Sequence, residues 1–335
     1  MKITICGGGS LSHVCIGVLS SQKDVEVSVL TNKPLQWNKH IIVTDCNLKG
    51  YNGNLDVISN NPEEVIPKAD IVFFCLPGFA IKEELEKIKP FLSVKTIVGT
   101  IVSSTGFFFF AHEILGHDAK LFGFQRVPFI ARTVEYGLSA NLLGYKKSVK
   151  IAVENITEKE TFRQMIERLF LTPTSLLSSY YEASLTNSNP ILHTGRLYSM
   201  WKDWQGEVYE KMIMFYKDWT VEASQLLIEM DSEFMKLLDV LPVNKSTMPS
   251  LLEYYESHDA QELCNKIKSI PAFENIISPM KKVTGGWVPD FTSRYFIEDF
   301  PYGLSIIKRL CDENHIYAPT IAKVCVWGMS KCRKQ

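Results

Sequence analysis

Three groups of residues in this 335-residue chain have the types and spacing to do chemistry. The first is Gly7, Gly8, Gly9, Ser10, Leu11 and Ser12, which lie between the apolar stretches Ile3 to Cys6 and Val14 to Leu19. A buried strand, a turn that only glycine makes easily and a helix, in that order, cradle a pyrophosphate at the helix's positive end. Ser12 stands where the pattern G-x-G-x-x-G has its third glycine, which implies a wider helix–strand approach or a hydroxyl turned toward the phosphates. The second group is Asn189-Pro190-Ile191-Leu192-His193, read as a helix start with Asn189 as N-cap, Pro190 at the first helical position and His193 in the first turn. The third is the run from Thr292 to Leu304, which sets Arg294, Glu298 and Asp299 among apolar and aromatic neighbours. A buried arginine offers a two-pronged fork to a carboxylate, and a buried aspartate is tolerated when it bonds a histidine. His112, Glu113 and His117 do not suit a zinc helix, because the histidines are five apart where one helical face needs four. No metal is expected.

These groups must be held by folded elements, and the hydrophobic pattern indicates which. Strands are expected at Val25 to Leu30, Ile41 to Thr44, Leu55 to Ser59, Ile71 to Leu76, Thr96 to Val102, Leu121 to Phe124 and Val149 to Val153, with a helix at Lys82 to Lys89. Alternating strands and helices predict an α/β Rossmann domain, doubly wound with a mainly parallel sheet, over residues 1–173, its ligand cleft at the strands' carboxyl ends. From residue 174 to 335 strand-like alternation nearly vanishes and an all-α domain is expected. Trp201, Trp204, Val208, Met212, Phe215, Trp219, Ala223, Leu226, Met230 and Phe234 recur at steps of three and four, as in one long amphipathic helix. The second strand runs into Thr31, Asn32 and Lys33, with no acidic residue to hold an adenine ribose. That corner suits a 2'-phosphate, so NADP is favoured over NAD. Leu76 and Pro77 end the next buried strand where its backbone would border the cofactor.

Composition narrows the class further. A net charge of -1 gives no case for nucleic acid or an anionic membrane, and eight scattered cysteines with no C-x-x-C pair suit a reducing, cytoplasmic setting. Small-molecule substrates are the expected partners; a homodimer is left open.

The glycine turn ending in His13, the Ser188-Asn189-Pro190 to His193 segment and the Glu-Asp-Phe-Pro-Tyr-Gly-Leu run at 298–304 together resemble the octopine/nopaline (opine) dehydrogenase family. The resemblance implies an N-terminal Rossmann domain followed by a helical domain. It also implies an oxidoreductase that uses NADH or NADPH to reduce the imine of a 2-oxo acid and an amino acid, giving an N-(carboxyalkyl)amino acid. By the same resemblance His193 is the catalytic histidine, Asp299 its carboxylate partner and Arg294 the substrate-carboxylate arginine; Asn189 is a further candidate substrate contact. Two rivals stand against this expectation. A ketopantoate or glycerol-3-phosphate type reductase shares the two-domain plan but relies on a helix-borne lysine, which Leu185 to Leu197 lacks. A cofactor-binding sensor without catalysis is the other.

Overall fold

In the computed structural model, which describes residues 1–332, the chain forms two compact units, Met1–Thr186 and the described residues from Asn187 onward. The first carries strands β1 (Lys2–Cys6), β2 (Glu26–Leu30), β3 (His40–Asp45), β4 (Gly50–Ser59), β5 (Ile71–Phe74), β6 (Ile97–Thr100), β7 (Leu121–Phe124), β8 (Phe129–Glu135), β9 (Ser139–Tyr145), β10 (Val149–Glu154) and β11 (Thr174–Leu176). They form one 11-stranded sheet in the order β11-β10-β7-β6-β5-β1-β2-β4-β3-β9-β8. Its centre is parallel, with β1 between β2 and β5, and antiparallel pairings occur at β3–β4, β8–β9 and β7–β10. The continuous apolar run of β5 follows from burial on both faces: Ile71 and Phe73 join one core cluster, Val72 and Phe74 the other. Because β11 pairs with β10, the first unit extends past residue 173, the boundary expected from pattern, to Thr186.

The second unit is built from helices Asn189–Trp201, Val221–Val240, Ala260–Ser269, Ser305–Glu313 and Pro319–Cys332, with shorter helical turns between them. It is not purely helical, since Met280–Val283 and Gly286–Pro289 (β12 and β13) pair as an antiparallel hairpin. The single long helix expected through Trp201 and Phe234 is also corrected. One helix ends at Trp201 and the next begins at Val221, capped by the Thr220 side chain on Ala223 N. Between them the chain bridges Tyr209 to Trp287 and Met214 to Ile277. The apolar spacing across this gap misled because Phe215 and Trp219 are fully buried by packing that is not helical. Among the described residues, no helix is long and apolar enough to cross a membrane.

Candidate active site

The glycine turn has the geometry its residue types imply. Gly7 sits at φ +127°, and a Cβ there would lie 2.6 Å from the Cys75 carbonyl oxygen, so the close approach of β1 to the end of β5 requires glycine. The following helix, Ser10–Ser20, starts from Gly9 with no side-chain cap, and nothing lies within 4 Å of a Cβ placed on Gly9. Its first N–H groups are therefore free of a side-chain acceptor, as an anion site needs. The Ser12 hydroxyl is buried beside this turn and has no hydrogen-bond partner among the described residues. An orphaned donor next to an uncapped helix start fits a phosphate-bearing ligand.

Around the turn lies a pocket of about 310 Å³ lined by Gly7, Gly8, Leu30, Thr31, Asn32, Lys33, Leu76, Glu84 and Tyr136. It gathers six of the residues expected at a cofactor. Gly9, Leu11, Ser12 and Pro77 lie outside the lining, and the Ser10 hydroxyl is committed elsewhere, accepting from Thr133 N and sharing a 3.0 Å bond with Thr133 Oγ1 on β8. Three lining residues were not among those expected: Leu30, which ends β2, Tyr136 and Glu84. Tyr136 comes from the β8–β9 turn. Glu84, on the helix Gly78–Ile88, is a carboxylic acid pushed above its ordinary value chiefly by burial, with Lys87 opposing.

In the second unit His193 and Asp299, 106 residues apart, meet: Nδ1 lies 2.8 Å from Asp299 Oδ2. Two local features bring them together. Pro190 rests against Gly303, where a Cβ would come within 2.6 Å of the proline ring, so the absent side chain lets the helix start close onto the 300–304 segment. That segment is a single π-helical turn in which Leu304 N donates to the Asp299 carbonyl, five residues back. Such wide turns re-aim side chains and recur at functional sites. The helix begins at Asn189 itself, with Ser188 as cap; Asn189 N donates to Asn187 Oδ1, and the expected Asn189 cap is not formed. His193 therefore lies in the second turn, beyond the strongest influence of the helix end.

The other imidazole nitrogen, Nε2, is 3.0 Å from the Tyr216 hydroxyl. With Nδ1–H donating to the carboxylate, Nε2 is the acceptor and the phenol the donor, a tautomer assigned from its partners. Burial, reinforced by Tyr295, Tyr255 and Asp299, pushes the Tyr216 phenol above its ordinary 10, so it stays a donor. Its ring stacks on Phe273 at 4.0 Å, while Phe215 and Tyr295 flank the imidazole. Tyr216 is the site residue the sequence did not indicate. The buried guanidinium of this unit is Arg196, not Arg294: it donates to the carbonyls of Phe215 and Asp218 and so fixes the segment carrying Tyr216. Burial lowers it to about 10 against the attraction of Asp218. Arg294 stands exposed at the start of the short helix Arg294–Ile297.

Residues 176–332 match the model described as NAD/NADP octopine/nopaline dehydrogenase, alpha-helical domain, and residues 3–107 match ketopantoate reductase PanE/ApbA. The helical half of the chain thus matches the octopine/nopaline (opine) dehydrogenase family. Opine dehydrogenase of Haliotis discus hannai is 25% identical over 100% of this chain and 90% of its own length. Tauropine dehydrogenase of Arabella iricolor is 27% identical over 99% and 92%. A solved octopine dehydrogenase with NADH and L-arginine superposes with a TM-score of 0.86 at 23% identity, covering 99% of this chain and 89% of that one, which shows the shared fold. The chain is accordingly an NAD(P)-dependent oxidoreductase of Rossmann-plus-helical architecture. The His193–Asp299 contact lies inside the matched helical region.

Proposed function

We propose that this protein is an opine dehydrogenase family member that condenses an amino acid with a 2-oxo acid and reduces the resulting imine with NADPH, yielding an N-(carboxyalkyl)amino acid. The observation that carries the reading is the 2.8 Å contact between His193 Nδ1 and Asp299 Oδ2. Solved octopine dehydrogenases bound to NADH with pyruvate or with L-arginine support the substrate class. The bound cofactor supplies a hydride; the chain supplies proton transfer and alignment. Asp299 holds the imidazole with Nε2 as its basic atom, and the incoming amine takes the place of the Tyr216 hydroxyl there. His193 Nε2 then accepts a proton from the substrate ammonium and returns it to the carbinolamine hydroxyl as water leaves. Arg294, exposed and carrying a planar fork, binds a substrate carboxylate, with Asn189 as a further substrate contact in the same reading.

For the cofactor, the turn Gly7, Gly8, Gly9 and the helix start through Ser10, Leu11 and Ser12 would hold the pyrophosphate. Thr31, Asn32 and Lys33 would face the adenosine ribose, and Leu76 and Pro77 would border the chain of the cofactor. Lys33 favours a 2'-phosphate. NAD is the second reading, and Glu84 is the observation that favours it, since a carboxyl group in this pocket can accept from a ribose hydroxyl.

The test is His193→Ala. Turnover should fall by about 10²- to 10⁴-fold while the dissociation constant for NADPH stays within about twofold. Unchanged turnover would remove His193 from the chemistry and the reading with it.

A further inference from the structure

His13 is fully buried and bonded at both ring nitrogens. Nδ1 lies 2.8 Å from the carbonyl of Gly9, which has no hydrogen to give, so Nδ1 carries the proton and donates. Nε2 is left as an acceptor, and the Gly137 N–H donates to it at 2.7 Å. One side chain thus joins the glycine turn to the β8–β9 turn, 124 residues further along. Gly137, at φ +72°, is also held from its other side, its carbonyl accepting from Asn38 N at 2.8 Å. The imidazole stacks on Trp37 with centroids 4.4 Å apart, and Tyr136 meets both rings edge-on.

The consequence is the position of Tyr136. Its hydroxyl lies over Gly8, where a Cβ would come within 2.5 Å of it, and its ring carries Lys33 Nζ at 5.7 Å from the centroid. Tyr136 is therefore a wall of the pocket at the Thr31–Lys33 corner, supplied by a turn that belongs to no part of the glycine motif.

We propose that His13 is a positioning residue for the dinucleotide, latching the β8–β9 turn onto the glycine loop so that Tyr136 closes the adenosine end of the pocket. The inference rests on the reading of this pocket as a dinucleotide site. It assigns the cofactor's affinity to a side chain that does not line the pocket.

The experiment is a double-mutant cycle on His13→Ala and Tyr136→Leu, read by fluorescence titration of NADPH and of NADH, with melting temperature and co-substrate KM measured alongside. Each single variant should weaken dinucleotide binding about tenfold, the loss expected when one or two buried hydrogen bonds that shape a site are removed. Co-substrate KM should not move. The double variant should bind no worse than the weaker single one, because both act through one wall. His13→Gln, whose carboxamide oxygen can still accept from Gly137 N, should recover part of the loss. Wild-type affinity in Tyr136→Leu, or losses that add in the double variant, overturns the latch. Tyr136 is partly exposed, so its variant keeps the test open if His13→Ala does not fold. A wild-type protein that binds neither dinucleotide refutes the reading of the pocket itself, a result distinct from either.

Discussion

At the scale of residues, the proposed chemistry depends on which atom of one imidazole is free to accept a proton. Asp299 takes Nδ1–H, leaving Nε2, and Tyr216 holds Nε2 by a donated O–H. Asp299→Asn keeps the shape but offers an amide that can present either its oxygen or its NH₂, so the tautomer is no longer imposed. Turnover should fall by about 10²-fold or more with NADPH affinity retained, and combining it with His193→Ala should add little, since the two act as one unit. Steady-state kinetics on the three variants decides this; additive losses would separate Asp299 from His193. The pair was legible in sequence chiefly through the resemblance of the Ser188 to His193 segment and the 298–304 run to the opine dehydrogenase family; placement alone left His193 more easily read as structural. Tyr216 was not, because it falls off the apolar stripe of a helix that the chain does not form. Arg294 was expected buried from its apolar neighbours, but the side chains of that run that turn into the core are Phe296, Phe300 and Leu304, and the guanidinium stays outside.

At the scale of elements, the central strands were legible because parallel strands buried on both faces read as continuous apolar runs. The edge pair β8–β9 was not. Its outer side chains Ile130, Val134 and Leu143 are exposed, and register shifts between Ile130 and Ala131 and between Thr133 and Glu135 break the period of two. This unforeseen hairpin delivers Gly137 to His13, and the contact has a pH signature. Burial, opposed by the bond to Gly9, holds His13 below its ordinary 6.5. Below about pH 6.5 the unfolded chain takes up a proton that the folded chain refuses, so this group's contribution lowers stability as pH falls. Asp231, raised to about 6 by burial, acts in the opposite sense, lowering stability as pH rises from 3.8 through 6. The informative quantity is therefore a difference. Denaturant midpoints measured from pH 7.5 down to 5 should fall more steeply for the wild type than for His13→Gln. Parallel profiles would show that His13 carries no such proton linkage.

At the scale of the whole molecule, the order of the two halves was readable from the change of hydrophobic period near residue 174, while the point of division was not. β11 lies past that change yet completes the first unit's sheet, and such a pairing depends on which strands meet in space. The β12–β13 hairpin in the helical half is short and half-exposed, which left no alternating pattern to read. The two units divide the proposed labour. The first holds the glycine turn and the Thr31–Lys33 corner; the second holds His193, Asp299 and Tyr216. A reductase of 2-oxo acids would need only the oxo acid, and a sensor would turn over nothing. The central claim is that reduction waits on condensation, and the loss of NADPH absorbance tests it most directly. With pyruvate and an amino-acid mixture together, NADPH should be consumed at least about 100-fold faster than with either alone, and product mass should equal the condensed pair plus two hydrogens. Consumption with pyruvate alone at the same rate would contradict the account.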